Sequence, residues 1–271
     1  MTKSAPPPTP APLFGMAPLQ EGPALSVVVP MFDEAGGAVE LAREISACLD
    51  GLDFEIIAVD DCSRDGTVAA LAGALPAIAR LRVLRHGANA GQSRAVRTGV
   101  LAARAPVIAT LDGDGQNDPA DIRPLFERLT RPDAPALLAM VAGERRLRLD
   151  AASKKTASRL ANAVRRRVLD DGAVDTGCGL KVFRREAFLR LPYFDHSHRY
   201  LPALMKREGF AVEFAPVGHR PRAHGRSKYT NLGRLKAAIR DLFGVVWLKA
   251  RARSPVVISE LETGRECDTI N

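Results

Sequence analysis

The sequence predicts an α/β protein built on a mostly parallel sheet flanked by helices. Three observations predict it. Short apolar runs rich in β-branched residues alternate with helical stretches from Leu25 onward. The connections are short, which implies right-handed strand-helix-strand crossovers. Carboxylates gather where the apolar runs end, at Asp33-Glu34, Asp60-Asp61 and Asp112 to Asp118. A parallel sheet binds its ligand at that rim, outside the carboxyl ends of its strands.

Each element has its own justification. "LSVVVPMF" from Leu25 is a buried strand. "GGAVELAREISACLD" is helical, with Val39, Leu41, Ala42, Ile45 and Leu49 on one broad face. "FEIIAVDD" is a second strand, and "GTVAALAGAL" a helix stopped by Pro76. "LRVLRH", "GQSRAVRTGVLAAR" and "PVIATLDGDG" continue as strand, helix and strand. The second half is less regular. "PALLAMVAGERR" is a strand opening into a basic loop, and "SKKTASRLANAVRRRVLD" a basic helix. "GCGLKVFRREAFLRL" is a strand and short helix, "HRYLPALMKREG" a helix ended by Gly209, and "FAVEFAPV" a strand. A loop, "GHRPRAHGRSKYTN", leads to a terminal helix from about Leu232 to Arg253.

The 271 residues, 46% hydrophobic and 26% charged, suit one large domain or two small ones. The domain is expected over 25–253, between a proline-rich disordered arm, 1–24, and a polar tail, 254–271. The arm lacks the apolar core of a secretory signal. No apolar run approaches the roughly 20 residues of a spanning helix. Cys48, Cys62, Cys178 and Cys267 are scattered without metal-ligand spacing, as expected of reduced thiols in a cytoplasmic protein. A net charge of +8 suits an anionic partner (nucleic acid, phosphorylated substrate or anionic membrane), or simple solubility.

The chemistry concentrates in "LDGDGQNDP". Asp112 and Asp114 flank Gly113, which lets the backbone bend, and Gln116 adds a neutral oxygen. Mg²⁺ and Mn²⁺ take such hard oxygen ligands together with substrate phosphates. A solvated Asp-Gly turn would use the same residues. A calcium loop counted from Asp112 would need Gly and Glu where Asn117 and Arg123 stand. An aspartyl-phosphate phosphatase is a weak fit. No dinucleotide fingerprint or Walker lysine motif is present. "GANAGQS", Gly87 to Ser93, reads as an ordinary helix cap.

Five segments in order, "VVVPMFDEA", "VDDCSRDGT", "NAGQSRAVRTG", "LDGDGQNDP" and "RPRAHGRSKY", resemble glycosyltransferase family two with the GT-A fold. The nearest members are dolichol-phosphate mannosyltransferases and bacterial undecaprenyl-phosphate sugar transferases. The resemblance runs from about Leu25 to Lys249. It implies that Pro30, Phe32 and Glu34 border the nucleotide and that Asp61 also holds it. It implies that Asp112, Gly113, Asp114 and Gln116 serve the metal and diphosphate. Arg222 and Lys228 would close over the donor on a loop hinged at Gly225. Arg145, Arg159 and Asn162 would meet the acceptor phosphate, or belong to a solvated basic face. In "DTGCGLKVFRR", Cys178 and Gly179 depart from the usual lettering, and Asp175 is either a base or a structural cap.

The reaction so implied is a metal-dependent, inverting transfer from a GDP- or UDP-sugar to a lipid-linked acceptor, foremost a polyprenyl phosphate. A hydroxyl acceptor on a glycolipid, polysaccharide or protein is the alternative. A non-catalytic nucleotide-sugar or nucleic-acid binder ranks below both, since aromatics are only 5% and no basic-aromatic patch stands out. No nucleic-acid partner is therefore expected, and the oligomeric state is left open. The terminal helix carries Leu232, Leu235, Ile239, Leu242 and Val246 at helical spacing, widened by Phe243 and Trp247. Arg234, Lys236, Arg240, Lys249, Arg251 and Arg253 make it basic. Such a helix either packs on the domain or lies in an anionic membrane interface. The expected location is the inner face of the cytoplasmic membrane, attached peripherally.

Overall fold

A computed structural model describes residues 22–145, 168–173, 175, 177–222 and 231–253. The arm, the tail, and nearly all of the basic helix expected over Ser153 to Asp170 lie outside these residues.

The strands are β1 (Leu25–Met31), β2 (Phe54–Asp60), β3 (Leu81–Arg85), β4 (Val107–Thr110), β5 (Leu138–Arg145), β6 (Lys181–Arg184) and β7 (Ala211–Val217). The helices are α1 (Ala38–Cys48), α2 (Thr67–Ala74), α3 (Gln92–Ala102), α4 (Ile122–Thr130), α5 (Arg185–Leu189), α6 (Leu201–Arg207) and α7 (Asn231–Ala250). The strands form one sheet in the order β3-β2-β1-β4-β6-β5-β7. Pairing is parallel except at β6, which runs antiparallel to both β4 and β5. The expected fold class is therefore observed, as a mixed sheet with one reversed strand.

Period-two alternation assigns the core. Val27, Val29 and Met31 of β1 pack beneath α1, α2 and α4, while Val28 faces α3 and α5–α7. Ile122, Leu125 and Leu129 place α4 on the first face at helical spacing. Val96 and Val100 hold α3 on the second.

The sheet's topological switch lies between β1 and β4. The chain builds β2 and β3 on one side of β1, then crosses to β4 on the other. The β1–β4 pairing ends at Val28–Thr110, whereas β1 stays paired with β2 as far as Met31–Asp60. Pro30, which has no N–H to donate, stands in the stretch beyond β4. The two strand ends diverge there, and a crevice opens.

α7 ends three residues before the expected Arg253. The expected single apolar stripe divides in two. Val245 is buried, and Leu242, Val246 and Leu248 pack against the second core. Ile239, Phe243 and Trp247 remain exposed. The side chains of Leu232 and Leu235 lie outside the described set.

A candidate donor cleft at the switch point

A cleft of about 600 Å³ opens at this crevice. β1 and the loop after it supply Pro30, Met31, Phe32 and Glu34, the residue after β2 is Asp61, and the β4 turn supplies Asp112, Gly113, Asp114 and Gln116. Arg145 and Gly177 form one side, and His219 and Arg222 the lip. The sequence-predicted residues that the structure describes thus meet in one place. Arg159, Asn162 and Lys228 lie outside the described residues.

The carboxylates at the rim divide into two kinds. Asp33 accepts from Arg64 N–H at 2.7 Å and so ties the β1 loop to the β2 loop. Asp60 is fully buried and accepts from Ser63 N–H. Asp118 caps the 3-10 turn Pro119–Asp121 through Ala120 N–H and holds Arg220 at 2.8 Å. These three hold loops. Glu34, Asp61, Asp112 and Asp114 line the cleft.

Asp61 is fixed before any ligand arrives. Its Oδ1 meets His86 Nδ1 and accepts from Ala90 N–H, each at 2.8 Å, and its Oδ2 accepts from Gly91 N–H at 2.8 Å. The loop that reads as an ordinary cap makes no side-chain cap bond to α3; two of its N–H groups are spent on Asp61 instead, a structural use of the loop. An ionised carboxylate has about four lone-pair sites, so Asp61 can still accept from a ligand hydroxyl.

The β4 turn corrects one expectation. Gly115, with φ +72°, takes the left-handed position of the turn. Gly113 is needed for lack of space, because a Cβ there would lie 2.6 Å from Met31 Sδ and 2.7 Å from Pro30 O. Gly179 is required in the same way, since its Cβ would meet the Asp112 carboxylate at 2.4–2.6 Å. The lettering sets Gly179 apart, but packing makes it part of the site.

The chain itself supplies donors and positive charge to this acidic turn. Gln92 donates to Asp112 Oδ1 at 2.7 Å. Lys181 enters from β6, only 5% exposed, and donates its Nζ to Cys178 O. Burial and the neighbouring Asp114 push the Asp112 carboxyl above its ordinary range, while Lys181 and the Gln92 hydrogen bond pull it back. Burial likewise lowers Lys181, against the pull of Cys178, Asp112 and Asp175. At the lip, Arg222 donates to Glu34 at 2.6 Å and stands 3.8 Å from Asp114. The stem of its loop is anchored by Arg220, which bridges Glu44 and Asp118 at 2.8 Å each.

Arg145 forms a bidentate pair with Asp175, and Asp175 Oδ1 also accepts from Gly177 N–H at 3.1 Å. Both Asp175 oxygens are thus engaged, and the bidentate pair orients Arg145 at the side of the cleft. Cys178 is a buried free thiol that desolvation pushes upward, and Cys48 and Cys62 are also free.

Sequence reasoning missed Lys181, Gln92 and His219. Gln92 was legible as the residue opening α3 beside the cleft. Lys181 sits in an otherwise apolar strand, "LKVF", and a buried lysine there needs a carboxylate partner.

Among the described residues no three His, Cys, Asp or Glu side chains cluster as a metal cage. Two carboxylates and an amide on one turn do match a hard divalent cation that completes its shell with water and substrate phosphate. The donor set fits Mg²⁺ or Mn²⁺ in that shared mode.

The fold is a mixed α/β sheet flanked by helices, with a cleft at its topological switch point. The chain superposes on glucosyl-3-phosphoglycerate synthase from Mycobacterium tuberculosis, solved with Mn²⁺, UDP and glucosyl-3-phosphoglycerate, with a TM-score of 0.62. Identity is 20%, over 88% of this chain and 82% of that one. Residues 26–191 match the model of glycosyl transferase family 2, and the chain belongs to that family. It is 33% identical over 239 residues to a dodecaprenyl-phosphate galacturonate synthase of Rhizobium johnstonii, covering 84% of this chain and 68% of that one. It is 34% identical over 212 residues to an undecaprenyl-phosphate 4-deoxy-4-formamido-L-arabinose transferase of Pseudomonas aeruginosa, covering 76% and 60%. The chain thus spans 60% to 68% of the length of these two relatives.

Proposed function

We propose that the protein transfers a sugar from a nucleoside-diphosphate sugar to a polyprenyl phosphate, with inversion at the anomeric carbon. The observation that carries this reading is the cleft itself, where Asp112 and Asp114 face Arg222 and Arg145 across one cavity. The two relatives above, both named for prenyl-phosphate products or acceptors, support the acceptor class.

Pro30, Phe32 and Glu34 border the base and ribose, and Asp61 accepts from the nucleoside. Asp112, Asp114 and Gln116 hold Mg²⁺ or Mn²⁺, which when bound screens the diphosphate charge. Arg222 turns from Glu34 to the diphosphate as it departs, joined by Lys228 from the same loop. Arg145, aimed by Asp175, receives the acceptor phosphate, with Arg159 and Asn162 from the following segment. A phosphate oxygen of the acceptor attacks the anomeric carbon, and the nucleoside diphosphate leaves with the bonding electrons. That oxygen is already anionic near neutral pH, so the step needs no general base. The commitment of Asp175 to Arg145 and Gly177 fits this better than a hydroxyl acceptor, for which Asp175 was the candidate base.

No helix among the described residues is long and apolar enough to cross a membrane. With a lipid acceptor, the protein works peripherally at the cytoplasmic face of the membrane. The test is a screen of GDP- and UDP-sugars with Mg²⁺ or Mn²⁺, scoring nucleoside diphosphate release with and without undecaprenyl phosphate. Release should depend on both the lipid phosphate and the metal. Release driven equally by a hydroxyl acceptor, or undiminished in excess EDTA, would overturn the reading.

A further inference from the structure

We propose that the outer face of α7, formed by Ile239, Phe243 and Trp247, is a docking surface for an anionic lipid bilayer. The proposal rests on the lipid-linked acceptor named above and assigns the residues by which this chain would reach it.

α7 has two unlike faces. Its inner face is committed to the domain. Val245 is buried, Leu242 and Val246 pack on the second core, and Arg207 donates to Leu248 O at 3.0 Å. Lys249 donates to Leu169 O, and Asp241 meets His196 Nδ1 at 3.2 Å. The second half of the helix is therefore anchored to the domain by its inner face, which leaves the opposite face outward.

That outer face is apolar where water would favour polar groups. Ile239, Phe243 and Trp247 follow a spacing of four and are 49%, 71% and 60% exposed. Few large hydrophobic side chains among the described residues are as exposed. Contiguous exposed apolar side chains on an anchored helix mark an interaction surface.

The charges choose the occupant. At about 100° of rotation per residue, Arg240 and Arg251 fall beside Trp247 along one edge of the stripe. Both are exposed, as is Arg253 beyond the helix end. The one acid between Asn231 and Arg253 is Asp241, which is turned inward to His196. An apolar strip with a Trp, edged by arginines and free of outward carboxylates, suits an acyl-headgroup boundary carrying negative charge. The arginine stems can lie along the apolar strip while their guanidiniums reach phosphates. In the sequence, eight residues separate Arg222, the residue at the cleft lip, from the start of α7.

Trp247 is the chain's only tryptophan, so its emission reads this surface alone. The full chain should be titrated with phosphatidylglycerol–phosphatidylethanolamine vesicles and with pure phosphatidylcholine vesicles. The expected result is a blue shift and co-sedimentation with the anionic vesicles, weakened by salt, and little of either with the neutral ones. I239S/F243S, which keeps the tryptophan, should partition at least tenfold more weakly. R240Q/R251Q should lose most of the salt-sensitive part. Both variants should melt like the parent and turn over a short-chain, detergent-dispersed prenyl phosphate at the parent's rate. Unchanged Trp247 emission with anionic vesicles, or parental partitioning by I239S/F243S, would overturn the proposal. So would a dimeric parent that becomes monomeric in I239S/F243S, which would make the face a self-interface. Vesicle binding without turnover of any prenyl phosphate would instead defeat the proposed reaction and leave the surface standing.

Discussion

The loop side and the cleft side of the sheet rim are built from the same residue types and do opposite work. Asp33, Asp60 and Asp118 each spend their oxygens on backbone N–H groups or on Arg220. Within a few residues of each, Glu34, Asp61 and Asp114 turn to the cleft. An aspartate's place along the chain therefore says little about its task. What decides is whether the carboxylate also opens on the cleft. Asp61 and Asp114 accept backbone N–H groups too, yet both line the cavity, and Glu34 and Asp114 stand there beside Arg222. Asp112 is the extreme case, held above its ordinary range by burial and by Asp114.

Four substitutions sharpen this contrast. The largest effect belongs to Asp114→Ala. It should lower metal-dependent turnover by roughly a thousandfold while the melting temperature stays near the parent's. Retained turnover would put Asp114 with the loop carboxylates. Gly179→Ala comes next. Its methyl group would displace the Asp112 carboxylate, and kcat/KM should fall by about tenfold to a hundredfold. A crystal structure of the variant should show Asp112 moved, and an unmoved Asp112 with full activity would remove Gly179 from the site.

Asp118→Ala should behave oppositely. Losing the cap costs about 1 kcal/mol in denaturant unfolding. Turnover per folded molecule should hold within a few-fold, because Glu44 still grips Arg220. A large activity loss at full stability would erase the division between the two sides.

The smallest effect concerns His198, hydrogen-bonded to Ser93 at 2.6 Å. Burial, then Arg199 and Lys181, hold it well below the ordinary imidazole range. The folded protein thus refuses a proton that the unfolded chain accepts below about pH 6.5. This site costs no stability above that pH and progressively more as pH falls from there toward the folded-state value. His198→Gln should flatten that part of the pH-stability curve, and parallel curves for parent and variant would contradict the assignment.

The alternation of strands and helices was legible because buried parallel strands and amphipathic helices write different periods. The cleft carboxylates were legible because they stand directly after apolar runs. The reversed direction of β6 was not, since "LKVF" reads the same in either orientation. Lys181 and Gly179 were missed for a related reason. Their roles are set by Asp112, a residue distant in sequence, and only the sheet brings them together. On α7, composition gave one wide stripe, whereas contact with the second core splits it between Leu242 and Phe243.

The reversed strand also bears on how the molecule is made. β1 to β4 can assemble as soon as they leave the ribosome, but the outer edge of β4 is completed only by Lys181–Arg184. Until that segment emerges, an unpaired apolar strand edge is open to other nascent chains. A chaperone holding the half-made sheet would have the most to protect during that interval.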